Sequence, residues 1–527
     1  MKLDRSQKAI LNFISSFGLT LVTFLTAMIS SRLVISYIGD ERFGAYRSLF
    51  DLFGYLNLLE AGISASLRPL LAKALAQSSS EEVPRLLKFG QRMFRLGMVV
   101  HFIAGVGFAV FSFWLIPVSP VLRQDLLIGS IIFTLGLFNL TFCTTRCLCE
   151  TLQNAFLVNL LLMFQSVCVT FTSMILCRMA PDWGISLLAF SLVFWVIQFN
   201  FILWFIMRPE FKRWPLDQVD STDSRLSVRH WLVHGRDTFL LMLSGRASLH
   251  SNNLFLGFFH GQVDVTRLYA TQRLFDVVQT QLFAIGNSSW AALAEIYHSN
   301  QHERFRSRVL QLIRLILVLG IAVVVPIFFF NADFVRLWVG SSRFGGQSAS
   351  LILAFQTLAL GFTVFSTWCL MGTGYLKPIL KLTFVTSILD VIATVSFTRQ
   401  YGIIGPVLGT TTVFYLVAIP WHLKLLQSHF QIRIRTLSRL SVPVIFSIPI
   451  YVMILSYLKK VVQPENWLQL AMVLGFPALS YLMMIGLLLF RDEEWNLILG
   501  RFLPFLKKKR SPTDANAKSS GSQSPSD

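Results

Sequence analysis

The 527 residues are 54% hydrophobic and only 14% charged, with a mean hydropathy of +0.61, which excludes a water-soluble enzyme of this length. The net charge of +19 would suggest a nucleic-acid partner in a soluble chain, but here the Lys and Arg fall in alternate loops, so the charge marks membrane topology and no nucleic-acid partner is expected. Apolar runs recur along nearly the whole length, and the expected fold class is all-α: a polytopic membrane protein with about 14 transmembrane helices.

In chain order, the first apolar run has no small-residue cleavage site and reads as a retained span. Spans are expected near Leu21, Leu56, Ala104, Leu135, Gln165, Val196, Leu249, Phe283, Leu319, Leu360, Leu389, Phe414, Met453 and Leu479. Threading these places Arg85, Lys88, Arg92, Arg95, Arg208, Lys212, Arg213, Arg304, Arg306, Arg308, Lys377, Lys424, Arg433 and Lys507 on one side. By the positive-inside rule that side is cytoplasmic and holds both termini of a multi-pass protein in the cell inner membrane. The opposite loops are short, which leaves no room for an extramembrane catalytic domain, and no enzyme activity is expected. The six Cys lack metal or disulfide spacing and read as small apolar residues. No Walker-type loop or HExxH occurs, and no cofactor is expected.

Ala45 to Ser64 lies without gaps on Ala270 to Ser289, sharing Ala, Leu-Phe-Asp and the last Ser. Each piece is the second span of a six-span block, so the blocks share one orientation and two similar lobes face each other across a cavity. The expected domains are 1–207 (N-terminal six-helix lobe), 208–234 (cytoplasmic linker), 235–427 (second six-helix lobe), 428–492 (extra helix pair) and 493–527 (cytoplasmic tail). From about residue 507 the tail is Ser-rich and too polar to bury a core.

Ionic residues inside spans face protein or water, because lipid offers them no partner. On the second span Asn57, Glu60, Ser64 and Arg68 share one face, while Arg47, Asp51, Tyr55 and Gly62 form another. Arg47 and Asp51, at i and i+4, either neutralise each other or serve function. In the second block Arg246, His250, Asn253 and Gly257 share a face. Arg246 there is either a packing ion pair with Asp276 or Glu60, or a fixed positive charge for an anionic substrate. Gln272, Asp276, Gln279 and Asn287 form the polar face of the next span. Asp390, among Thr383, Ser387 and Thr394, suits a proton or sodium site or a helix-to-helix hydrogen bond. Arg32 snorkels toward the outer surface, and Arg146 with Glu150 reads as an interfacial pair.

The stretch from Ser31 to Leu75 resembles the N-terminal signature of polysaccharide and oligosaccharide flippases of the multidrug/oligosaccharidyl-lipid/polysaccharide exporter superfamily. It carries the Gly-x-x-x-x-Gly-x-Tyr pattern as Gly39, Gly44 and Tyr46, followed by Glu60-Ala61-Gly62. Phe334 to Gly340 and Leu370 to Leu380 look like landmarks of the same family's second lobe. The resemblance implies two six-helix lobes around a central cavity, an extra helix pair, and alternating access that carries a lipid-linked glycan from the cytoplasmic to the outer leaflet. The ionic faces described above then supply the candidate substrate contacts, Arg246, His250, Asn253, Asn57, Arg68 and Arg32, and the candidate coupling residues, Glu60, Asp276, Asp390 and Asp51, for a proton, sodium or neither. Membrane lipids and polysaccharide assembly enzymes are the other partners the resemblance implies. The rival expectations are a multidrug/cation antiporter of the same superfamily, a membrane-embedded glycan polymerase or ligase, and a non-transporting scaffold.

Overall fold

The computed structural model describes residues 5–76, 82–214, 240–241, 244–245 and 251–489. All regular structure among them is helical, because a chain in lipid must satisfy its backbone polar groups within each segment. The first half contains α1 (Arg5–Ile38), α2 (Asp40–Ala76), α3 (Glu82–Leu115), α4 (Arg123–Gly136), α5 (Cys143–Thr151), α6 (Ala155–Met179) and α7 (Gly184–Lys212). A 3-10 segment, Leu137–Phe142, joins α4 to α5 into one pass. The second half contains α8 (described from 251 to 260), α9 (Gln262–His298), α10 (His302–Trp338), α11 (Gln347–Gly372), α12 (Leu376–Tyr401), α13 (Gly405–Val413) and α14 (Ile419–Phe430). A π-helical turn, Phe414–Ala418, links α13 to α14. The last described helices are α15 (Ile434–Val461) and α16 (Trp467–Leu489).

Ten runs among the described residues are long and apolar enough to cross a bilayer. One of them, Leu376–Phe430, doubles back at Gly402–Ile404 and makes two passes. Adding α2 and α9, with α8 described only from 251 to 260, gives helices in the expected order. Neither α2 nor α9 is among the ten, although each has 37 residues. Polar side chains dilute their hydropathy, as befits helices at a seam between two bodies.

The halves repeat one packing scheme. In the first, α2 packs on α3, α3 on α4, α4 on α7 and α6 on α7; in the second, α9 packs on α10, α10 on α11, α11 on α13 and α12 on α13. The halves meet along α2 and α9. Each seam helix follows its predecessor after a single left-handed glycine, Gly39 (φ +83°) before α2 and Gly261 (φ +94°) before α9. A β-carbon is strained in that conformation. The gapless sequence register would carry Gly39 onto Asp264, three residues beyond Gly261, so sequence likeness and structural junction differ by most of a helical turn.

Small residues set a close helix pair in the second lobe. Gly405 and Gly409 form a Gly-x-x-x-Gly step on α13, and a β-carbon on Gly409 would stand 2.7 Å from the backbone nitrogen of Thr394 on α12. Such steps let membrane helices approach backbone to backbone. Gly409→Leu is expected to cost about 1–3 kcal/mol through overpacking, read as a lower melting temperature of the detergent-solubilised protein.

The last two described helices ride on the second lobe. Both α15 and α16 pack on α10. There Tyr451 Oη donates to the Ala322 carbonyl (3.0 Å), Lys459 pairs with Asp333, and Arg336 donates to the Pro464 carbonyl (2.5 Å). All six cysteines are free thiols, five of them buried.

Candidate functional site

At the Gly39 end the two lobes close on each other. Gly44 of α2 lies so near α9 that a β-carbon there would come within 1.8 Å of the Gln262 carbonyl oxygen. The Gln262 side chain is buried against Gly257; its Oε1 accepts from Ser48 Oγ (2.8 Å) and its Nε2 donates to the Pro117 carbonyl (3.3 Å). Thr266 Oγ1 donates to the Asp40 carbonyl (2.7 Å), and Arg343 Nε meets the Asp40 carboxylate at 2.5 Å. Ser31 and Tyr269 share a hydrogen bond of 2.9 Å, and Trp338 Nε1 donates to the Met28 carbonyl (2.7 Å). Deeper along the seam, Asn253 Nδ2 donates to Asp51 Oδ2 (2.6 Å) and Tyr55 bonds Ser251 (2.7 Å). An apolar core crosses the seam beside these bonds, from Val34, Ile35 and Phe43 to Tyr269, Phe334 and Trp338. This end is therefore a seal, apolar in bulk and fixed in register by polar pins.

Truncating one pin leaves its buried partners unpaired, at about 1–3 kcal/mol for each such group. Gln262→Ala is thus expected to loosen the seal. Spin labels at the exposed positions Gln124 and Ser342, one in each half, should show a longer and broader distance distribution than in the parent protein.

Behind the seal the lobes part around two adjoining cavities. The upper one, about 660 Å³, lies between α1, α2, α6, α7 and α9; the lower, about 790 Å³, lies within the second lobe and is walled on one side by α1. Thr20 and Thr280 line both. The chamber extends along α1 from Val34 to Ser16, about 27 Å at the rise of an α-helix.

The upper cavity is polar and ionic. Arg47, Arg273 and Asp276 line it beside Gln165 and a hydroxyl wall that includes Thr26, Ser30, Ser166 and Thr170. Arg47 sits 4.9 Å from the Tyr269 ring centre and 5.1 Å from that of Phe50, with its guanidinium a loose 3.9 Å from Asp51. Arg273 lies 5.9 Å from the Phe24 ring and 6.0 Å from Tyr269. Aromatic faces attract the cations without consuming their N–H donors. The buried Nε of each arginine, and Oε1 of Gln165, have no hydrogen-bond partner among the described residues. Two guanidiniums in a chamber poorly screened by water can hold an anionic group.

The sequence-predicted residues divide between this chamber and other places. Asp276 lines the upper cavity. Asp51 and Asn253, expected to serve coupling and substrate respectively, are bonded to each other across the seam. Asp390 is buried on α12, one turn before the buried Thr394. Arg68 lines neither cavity; it pairs with Glu150 (2.9 Å), whose other oxygen takes Arg146 (2.9 Å), in a triad joining α2 to α5. Arg32 lines a separate groove of about 420 Å³ formed by α1, α9, α10 and α16. Arg246 and His250, and the side chains of Asn57 and Glu60, lie outside the described residues.

Sequence reasoning missed Arg273 and Gln262, and read Arg47 only as a neighbour of Asp51. Arg273, Asp276 and Thr280 follow i, i+3, i+7 spacing, so the signal was present. The polar face of α9 was drawn instead through Gln272 and Gln279, and Gln279 donates to Thr357 on α11 (3.1 Å). No group of His, Cys, Asp and Glu with metal-binding geometry occurs among the described residues.

No family model and no curated protein matches the sequence. Solved structures do match in fold. The chain is similar to the lipid II flippase MurJ in an inward closed conformation, with a TM-score of 0.71 at 15% identity, over 92% of this chain and 100% of that one. It is also similar to a multidrug resistance MATE family transporter of the MOP superfamily in an inward-facing conformation, with a TM-score of 0.65 at 15% identity, over 80% of this chain and 99% of that one. An outward-facing MATE structure matches at 0.53 and 15% identity, over 83% of this chain and 97% of that one. At these identities the likeness gives the fold.

Proposed function

We propose that the protein is an inner-membrane transporter that flips an anionic lipid-linked glycan from the cytoplasmic to the outer leaflet by alternating access. The observation that carries this reading is the pair of guanidiniums, Arg47 and Arg273, in a chamber between two lobes sealed at one end. A lipid-linked precursor bears phosphate next to its lipid, and paired arginines suit that group. Positive-inside topology makes the sealed Gly39 end the outer one, so the chamber described here faces the cytoplasm. The groove carrying Arg32, walled otherwise by Phe24, Met28, Trp338 and Trp467 among apolar neighbours, suits an acyl or prenyl chain. Asp276, beside the arginines, is the proposed coupling acid, and the Asp51–Asn253 bond a latch that breaks when the outer end opens.

A multidrug exporter for cations is the competing reading, favoured by the MATE likeness. Its chamber should be dominated by carboxylates, whereas the upper cavity offers Arg47 and Arg273 against Asp276. Reconstitution into liposomes with a fluorescent undecaprenyl pyrophosphate-linked oligosaccharide decides between them. The expected result is that the probe moves from one leaflet to the other only when the protein is present. Transport of ethidium without movement of the lipid-linked probe would overturn the proposal, as would glycan lengthening by the purified chain.

A further inference from the structure

The lower cavity differs in chemistry from the upper one. Among the described residues no Lys, Arg, Asp or Glu lines its 790 Å³. One wall is the indole of Trp368 on α11. A β-carbon on Gly286 of α9 would stand 2.8 Å from its Cδ1, and one on Gly372 would stand 3.3 Å from Cε3 of Trp290. Glycine at these positions lets α9 and α11 close until the two indoles stack, with centres 6.1 Å apart and planes 26° apart. Trp368 is thereby a fixed platform that loses little freedom when a ligand lands on it. Around it lie the exposed amides of Gln281 and Asn287. His422 completes the wall; its Nδ1 donates to the Ala418 carbonyl (2.8 Å) and its Nε2 hydrogen-bonds Thr367 Oγ1 (3.2 Å).

We infer that this cavity is a saccharide subsite that selects uncharged sugars, an inference that rests on the transport reading above. A pyranose presents an apolar C–H face, which stacks on an indole, and a rim of hydroxyls, which need donors and acceptors together; primary amides supply both. A uronic or sialic acid unit would bring a carboxylate into a cavity with no described counter-charge and lose its hydration uncompensated. Spacing along α9 adds a length requirement. Gln281 and Asn287 lie eight and fourteen residues beyond Arg273, about 12 and 21 Å along the helix. That exceeds a single ring, so phosphate held at Arg273 and sugar held at Trp368 belong to an oligosaccharide cargo.

The test is NMR titration of the full chain in nanodiscs with four soluble probes: maltotriose, triacetylchitotriose, trigalacturonic acid and geranyl pyrophosphate. At least one neutral trisaccharide should bind, at least tenfold more tightly than trigalacturonic acid. Trp368→Ala and Asn287→Ala should each weaken it about tenfold and Trp368→Phe only slightly, with geranyl pyrophosphate unchanged in all three, which also verifies that the variants are folded. The subsite is overturned if neither neutral trisaccharide binds, if trigalacturonic acid binds equally well, or if Trp368→Ala leaves binding intact. Failure of geranyl pyrophosphate to bind the parent protein, with saccharide still bound, would sink the phosphate reading instead and leave the subsite standing.

Discussion

Arg273→Ala is expected to abolish the proposed flipping of a lipid-linked glycan while leaving the protein folded and the seal at the Gly39 end shut. The side chain contacts the lobes mainly through the faces of Phe24 and Tyr269, so its removal strips a charge from the chamber and leaves Arg47 as the remaining cation facing Asp276. For the anion it is proposed to hold, losing one partner of a desolvated charge pair costs on the order of 2–5 kcal/mol, or a thirtyfold to several-thousandfold loss of affinity. Arg273→Lys should recover part of this, because an ammonium keeps the charge but not the planar fork. Arg47→Ala should also impair transport, but it acts on two functions at once, since Arg47 also contacts Tyr269 and Asp51 at the seam. The measurement is geranyl pyrophosphate binding and leaflet-to-leaflet transfer in the same preparations. Undiminished transport by Arg273→Ala would remove the arginine pair from the mechanism.

Gly44→Val should stop the cycle by a different route. The closed seal leaves no space for a β-carbon: the Gln262 carbonyl oxygen would be 1.8 Å away and its carbon 2.7 Å. Both are backbone atoms of the opposite lobe and cannot rotate aside like the end of a long side chain. Valine therefore penalises only the state in which the Gly39 end is shut, and the population shifts toward the state open at that end. Labels at Gln124 and Ser342 should report a longer separation, and transport should fall by at least tenfold with near-normal expression. Gly107→Val is the control, since a β-carbon at Gly107 of α3 meets nothing within 4 Å. A variant at position 44 that still shows the parent distance would mean that the two helices are farther apart than described.

The fold was legible because hydropathy in a bilayer is a property of each segment alone. The motif glycines were legible as a pattern, but their purposes were not: Gly39 turns the chain in a left-handed conformation, whereas Gly44 clears space for a helix more than two hundred residues away. Helical periodicity puts side chains on a common face without saying what stands opposite. Asp51 and Asn253 were therefore assigned to separate tasks although one hydrogen bond joins them, and Arg68 was grouped with the face of Glu60 although Glu150 on α5 is its partner. Arg273 was within reach of the same reasoning, but the stripe was traced one residue away.

The clamp of Lys459 on Asp333 and Tyr451 on Ala322 binds the α15–α16 pair to the second lobe. In the proposed cycle that pair swings with its lobe through the surrounding lipid like an outrigger, and among the described residues the opposite flank carries no counterpart to balance it. Part of the work of each turnover is then spent displacing acyl chains on one side. Bilayer thickness and lateral pressure should therefore set the pace of this protein even where its cargo is unchanged.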